Sequence, residues 1–169
     1  AHGALMFRDS QGVHEWSDSK FASSWNNKGL AWAVLKDKKT GAYVLALNTH
    51  LSLKTAGATN YTEQDAINDR LSNASDAVRI MNQIYDVFGV IPTVYTGDFN
   101  MSWLDPAFKY LLEHFESSIY GSDDFVKFEY TMNKITGTNL TRSPNLPIDH
   151  IFYADETLKP TSYYVANKT

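Results

Sequence analysis

Val90-Ile91-Pro92-Thr93-Val94-Tyr95 runs into Thr96-Gly97-Asp98-Phe99-Asn100, and the reading of that junction decides the fold. The first six residues are an apolar run with the length and composition of a strand buried in a sheet. The next five put polar side chains at its carboxyl end, the rim of a sheet where ligands commonly bind. Asp98 and Asn100 are two apart, so in an extended segment both face one way. Gly97 lets the backbone turn there or approach a ligand.

Working outward, two more strand ends carry polar groups. Leu30 to Leu35 and Tyr43 to Leu47 are apolar runs around the turn Asp37-Lys38-Lys39-Thr40-Gly41, which predicts a hairpin buried largely on both faces. Its second strand delivers Asn48-Thr49-His50, and Ile148 is followed directly by Asp149. Between them, Ala74, Ala77, Val78, Met81, Ile84, Tyr85 and Phe88 recur at helical spacing, with Gly89 as the stop. The polar stretch from Leu51 to Ser72 reads as a loop that becomes helical near Thr62. Asp105-Pro106 opens a second helix, with Asp as cap and Phe108, Leu111, Leu112 and Phe115 as its buried face.

The flanks are weaker. Ala4 to Phe7 is a short strand with Val13 to Trp16 as its hairpin partner, and Ser17 to Lys28 is a polar loop. Past residue 120, Phe125 to Tyr130, Ile148 to Tyr153 and Ser162 to Val165 read as strands. Strands dominate with two helices inserted, which gives an α+β class, a layered sandwich flanked by helices. No linker or repeat divides residues 1–169.

Composition narrows the function. The chain has 15 Lys+Arg against 19 Asp+Glu, a net charge of −4, which argues against a broad basic face for gripping nucleic acid. There is no cysteine, so any metal would sit on oxygen and nitrogen ligands. No apolar run approaches the roughly 20 residues of a membrane span. The start at Ala1, without Met, suggests processing or a missing upstream region. Sequons at Asn60, Asn73, Asn100, Asn139 and Asn167 lean toward secretion, although an Asn- and Thr-rich chain produces some by chance.

Each candidate residue has an ordinary structural explanation: a strand-end His bonded at the surface, Gly-Asp-Phe-Asn as a turn, Asp149 as a local cap. Together they form a pattern. Asn48-Thr49-His50-Leu51, then Thr96-Gly97-Asp98-Phe99-Asn100, then Ile148-Asp149-His150-Ile151-Phe152, in that order and about 50 residues apart, resembles the endonuclease/exonuclease/phosphatase superfamily. The hairpin with Trp32-Ala33-Val34-Leu35 fits as well. The resemblance is best from Leu30 to Phe152 and weak over residues 1–27.

The resemblance implies a deoxyribonuclease-I-like two-sheet sandwich and hydrolysis of a phosphoester by water, assisted by Mg²⁺ or Mn²⁺. Under it, Asp98 suits the general base, Asn100 orients water or phosphate, and His50, if protonated, neutralises a phosphoryl oxygen. Asp149 fixes an imidazole or supports the cation. Asn48 and Lys28 are substrate-binding candidates, Lys28 standing where the family commonly has an arginine. His150 is expected to be structural, because the family's catalytic Asp-His pair belongs to a later Ser-Asp-His segment. Neither that segment nor the early Asn and Glu motifs are found, so residues 1–169 read as a partial domain, or else as a degenerate member, with the metal-ligating Glu outside it.

The substrate stays open among nucleic acid, a small phosphorylated molecule and a phospholipid head group. The rival from another class is a noncatalytic binding module, with Trp16, Trp25 or Trp103 as its contact face. A module of that kind has no reason to bring His50, Asp98, Asn100 and Asp149 into one cleft. A truncated sandwich also predicts that the runs 30–35 and 90–95 lie along unpaired edges, covered by a complementing segment or a second copy.

Overall fold

The apolar runs on either side of Asp37 form an antiparallel hairpin, β4 (Gly29–Lys36) and β5 (Tyr43–His50), with Gly29 opposite His50 and Lys36 opposite Tyr43. The Asp37 carboxylate accepts the backbone N–H of Lys39 at 2.9 Å and of Thr40 at 2.6 Å, closing an Asx turn. These bonds hold its pKa below the usual carboxylate value. The computed structural model describes residues 1–6, 8–9, 12–13, 28–53, 61–121, 124–125, 148–154 and 158–163.

With β1 (His2–Met6), β6 (Thr93–Asp98), β7 (Glu116–Ser117) and β9 (Asp149–Ala154), the hairpin forms a six-stranded mixed sheet in the order β1-β4-β5-β6-β9-β7, in which it takes the second and third places. Two short pairs stand apart: β2 (Arg8–Asp9) with β3 (Gly12–Val13), and β8 (Asp124–Phe125) with β10 (Ser162–Tyr163). The expected partner of the first strand is corrected: His2–Met6 pairs antiparallel with β4. The turn after it still brings Arg8 opposite Val13. Positions 14–16 and 126–130, and the stretch 17–27 expected as a loop, lie outside the described residues.

The parallel pairing of β5 with β6 requires a crossover, and α1 (Glu63–Phe88) supplies it. Thr62 and Asp65 form a reciprocal capping box at its start, with Asp65 N–H donating to Thr62 Oγ1 at 3.1 Å and Thr62 N–H to Asp65 Oδ2 at 2.7 Å. Gly89, at φ 76°, ends it and donates to Tyr85 O at 2.9 Å. Ala66, Ala74, Ala77, Val78, Met81 and Ile84 make its buried face. All of these but Ala66 join Leu30, Val34, Leu45, Leu47 and Tyr95 from the sheet in one core. The second helix, α2 (Pro106–Leu111), adds Phe108 and Leu111 under an Asp105 cap, whereas Leu112 is exposed. A last short turn, α3 (Ser118–Gly121), follows β7.

Two readings of the apolar runs change. β4 and β5 alternate between a buried and an open face, with Leu30, Val34, Leu45 and Leu47 inside and Ala31 and Leu35 exposed. The run at 90–95 contributes Thr93–Asp98 to the sheet, while Val90 is exposed. Neither strand is an edge, since the strands at the ends of the order are β1 and β7. Asn73 and Asn100 are buried, which closes those two sequons to a glycan in the folded chain.

Candidate active site at the strand rim

Strand pairing places His50, Asp98 and Asp149 in one row. His50 is the Cα partner of Asp98, and Asp98 is the partner of Asp149, on three adjacent strands. Residues in such a row share a face of the sheet, with strands about 4.8 Å apart. All three lie at the same rim, because β5 and β6 run parallel and end there while β9 runs the other way and begins there. The opposite parity, Thr49, Gly97 and His150, faces the core.

Gly97 makes this row tight. At φ 149° it has a backbone that L side chains rarely adopt, and a Cβ would sit 2.9 Å from the Thr49 carbonyl carbon and closer still to its oxygen. Its expected close approach is therefore to the neighbouring strand. Two backbone bonds fix the strand ends beyond it, Leu51 N–H to Asp98 O at 2.9 Å and Phe99 N–H to Ile148 O at 2.8 Å.

His50 Nε2 lies 3.5 Å from Asp98 Oδ2 and 2.8 Å from Lys28 Nζ. An ammonium only donates, so a protonated Lys28 requires Nε2 to accept and His50 to be neutral. Burial and the neighbouring Lys28 charge lower the His50 pKa, against the opposing pull of Asp98 and Asp149. Burial also lowers the Lys28 pKa, which Asp98 opposes. With Lys28 protonated, the condition set for His50, that it carry a proton, is not met, and the positive charge beside Asp98 is then that of half-buried Lys28.

Asn100 departs from its expected orientation. The strand ends at Asp98, and Asn100 takes φ 48°, so the two side chains do not lie on one extended face. Its backbone N–H donates to Asp98 Oδ1 at 2.9 Å, while its side-chain Nδ2 donates to Leu51 O at 2.9 Å. Asn100 therefore orients the Asp98 carboxylate through its main chain and ties the end of β5 through its amide. Asn48 sits one row inward on the face of His50 and donates to Thr96 Oγ1 at 3.0 Å.

His150 is 2% exposed, with ring centroids 5.1 Å from Phe108 and 5.7 Å from both Phe99 and Phe152. Its Nε2 meets Met101 O at 2.9 Å, so it belongs to the core. Of the tryptophans offered for a binding face, Trp103 is partly exposed, and Trp16 and Trp25 lie outside the described residues.

The sequence reading missed Arg70. This residue is 3% exposed, and its guanidinium bonds Asp105, Ser52 O and Glu63. A signal was available, because Arg70 falls on the stripe of Ala66, Asn73, Ala74 and Ala77, and a charge on a buried stripe requires a partner.

Known structures share this architecture. A crystal structure of an endonuclease/exonuclease/phosphatase family protein from Bacteroides thetaiotaomicron matches 91% of this chain and 49% of its own, at TM-score 0.67 and 19% identity. A mannosyl-6-phosphatase from the same species matches 92% of this chain and 52% of its own, at TM-score 0.67 and 18% identity. An endonuclease/exonuclease/phosphatase from Bacteroides vulgatus matches 96% and 56%, at TM-score 0.65 and 22% identity. The chain spans about half the length of these structures. No family model and no curated protein matches the sequence. The shared property is the fold: an α+β, deoxyribonuclease-I-like arrangement, present here in part.

Proposed function

We propose that the protein carrying this chain hydrolyses a phosphoester at the rim defined by His50, Asp98 and Asp149. The observation that carries the reading is the single row of an imidazole and two carboxylates, with the Lys28 ammonium against its end. An anionic phosphoryl group needs a fixed positive charge, and Lys28 offers one that is partly shielded from water. Attack by water needs a base. Asp98 serves, with Oδ1 fixed by the Asn100 N–H and Oδ2 turned toward His50. Neutral His50 holds a proton on Nδ1 and passes its Nε2 lone pair to Lys28, which keeps the ammonium aimed at the site. Asn48, one row inward, contributes an exposed amide on the same face.

The resemblance also implies Mg²⁺ or Mn²⁺, which when bound would neutralise phosphate charge. A hard cation of this kind takes about six oxygen ligands. Among the described residues no group of three or more His, Asp or Glu is placed to hold one. Asp98 already accepts the Asn100 N–H, and His50 Nε2 is engaged by Lys28. The described residues do not fit a cation on their own, and no step above is routed through one. Substrate candidates are phosphorylated sugars, nucleic acid and phospholipid head groups, with the acidic balance favouring small substrates or lipid over long DNA. No helix among the described residues is long and apolar enough to cross a membrane.

The test is hydrolysis of p-nitrophenyl phosphate and bis(p-nitrophenyl) phosphate by the full-length gene product and its D98N and H50Q variants. D98N is expected to lose on the order of 10²–10⁴-fold in kcat, the usual worth of a positioned base. Activity that survives D98N undiminished removes Asp98 from the reaction and the proposal with it.

A further inference from the structure

Arg70 lies on α1, away from the row of His50, Asp98 and Asp149, yet it is bonded to the segments that follow two of the three strands carrying that row, those of His50 and Asp98. Its Nη1 donates to Ser52 O at 3.1 Å, two residues beyond His50. Its Nε donates to Asp105 Oδ2 at 2.9 Å, and Nη2 lies 2.8 Å from the same oxygen. Asp105 closes the loop that begins at Asn100 and caps α2 through Oδ1 to Ala107 N–H at 2.9 Å. Arg70 and Asp105 are both nearly inaccessible to water, so neither bond is loosened by solvent. A cleft of about 370 Å³ lies beside them, bordered by Glu63, Asn100, Met101 and Pro106.

The two segments are also bonded to each other, by Asn100 Nδ2 to Leu51 O and by Leu51 N–H to Asp98 O. The strap at 51–52 is therefore held from both sides. Asp98 and Asn100 grip it from the rim, while Arg70, together with Asn73 through Ser52 Oγ at 3.2 Å, grips it from the helix. Asn100 holds φ 48°, a left-handed value that asparagine tolerates better than most non-glycine residues, and its bonds to Asp98 and Leu51 help to hold it there. The fork of a guanidinium spans both segments at once, and an ammonium does not.

We propose that Arg70 is a positioning residue for the site: by joining Ser52 O to Asp105 it sets the separation of the His50 strap from the Asp98–Asn100 loop. The effect on hydrolysis rests on the reading given under Proposed function, whereas the effect on geometry does not. Loss of the fork lets the strap part from the loop, so Asn100 gives up Leu51 O and Asp98 loses its fixed orientation.

The experiment uses the full-length protein with R70K, R70M, E63Q and A77G, each studied well below its own melting temperature. Two quantities are read: the NMR signals of the Asn100 side-chain amide with the hydrogen exchange of the Leu51 N–H, and kcat and KM on bis(p-nitrophenyl) phosphate. E63Q removes only the charge of the exposed partner, and A77G destabilises the same helix away from the site, so both should leave the Asn100 signals and kcat as in the parent. R70M should shift the Asn100 amide toward its solvent-exposed position and speed Leu51 exchange. It should also lower kcat by about 10- to 100-fold with little change in KM, the scale of a small misplacement of reacting groups. R70K should show the same changes in smaller degree, and it carries the test if R70M does not fold. Arg70 variants that melt earlier but keep the Asn100 signals and kcat would overturn the proposal, as would A77G reproducing their effects. If no variant or parent hydrolyses the ester while the Asn100 and Leu51 changes appear, the functional reading fails and the positioning of Asn100 by Arg70 stands.

Discussion

Replacing Gly97 with alanine tests the close contact of β5 and β6 at its narrowest point. The added Cβ would lie 2.9 Å from Thr49 C and 3.0 Å from Thr49 N, at or inside the 3.0 Å limit of real Cβ contacts, and nearer still to Thr49 O. The obstacle is backbone in a central pair of strands, so no side chain can swing aside. Residue 97 also keeps φ 149°, a region almost confined to glycine. Backbone strain of this sort costs about 1–3 kcal/mol. Overpacking a filled interior adds about 1–3 kcal/mol. G97A should therefore destabilise by about 2–6 kcal/mol on those two scales. Gly89 supplies the control, because its φ is 76° but a Cβ there meets nothing within 4 Å. G89A, whose backbone holds φ 76° and ψ 175°, bears only the conformational cost of about 1–3 kcal/mol. Urea denaturation at equal slope reads the difference, as a fall in midpoint of about 1–3 M for G97A at a slope of roughly 2 kcal/mol per M. G97A must also push His50 from Asp98, so any hydrolytic activity should fall with it and survive in G89A. Equal midpoints for the two variants would refute the close-contact argument.

The remaining expectations are briefer. Because burial and the Lys28 charge hold the His50 pKa below its ordinary value of 6.5, against the pull of Asp98 and Asp149, the unfolded chain takes up its proton first as pH falls. Stability contributed here is thus undiminished above pH 6.5 and declines as pH drops below it, and H50Q should flatten that decline in denaturation midpoints measured from pH 8 to 5. K28M should weaken sulfate or phosphate binding measured by calorimetry without unfolding the chain, whereas K28R should largely keep it. Titration of the 169-residue chain with Mg²⁺ should give no tight site, since no acidic cluster is present among the described residues, and a strong exotherm would mean that a ligand lies elsewhere. Light scattering on the same chain should exceed 19.1 kDa, because the sheet face away from α1 leaves Leu35 and Ile151 exposed; a cooperatively melting monomer would contradict this.

Much of the fold was legible because its strongest signals are local. The turn at Asp37, the stop at Gly89 and the cap at Asp105 depend on side chains within a few residues, and each falls where the sequence puts it. The capping box was harder to read, since Thr62 and Asp65 carry it with an aspartate in the place of the usual Glu or Gln, and α1 starts about three turns before its apolar stripe becomes dense. Strand limits failed for a different reason. Val90 belongs to an apolar run but precedes the first residue that finds a partner, because β6 begins where Thr93 comes level with Leu45. The pairing of β1 with β4 is a contact across more than 20 residues, and no local pattern specifies it.

The candidate site divides along the same line. That polar groups stand at three strand ends follows from sequence alone, but their convergence depends on register, and a slip of one residue would turn any of them to the opposite face. His50, Asp98 and Asp149 have the same parity only because β5 and β6 align Leu47 with Tyr95 while β6 and β9 align Tyr95 with Phe152. Those three residues are buried core, so the hydrophobic pattern that locks them inward is what turns the three polar groups outward. Gly97 shares the inward parity, between Thr49 and His150, and its missing side chain is what lets β5 approach β6 there. Asn100 breaks the two-residue rule because the strand stops at Asp98, and its amide then serves the strap at Leu51. The chemistry of the rim is thus set from beneath, by an apolar register that fixes the row and by a buried arginine that fixes the strap beside it.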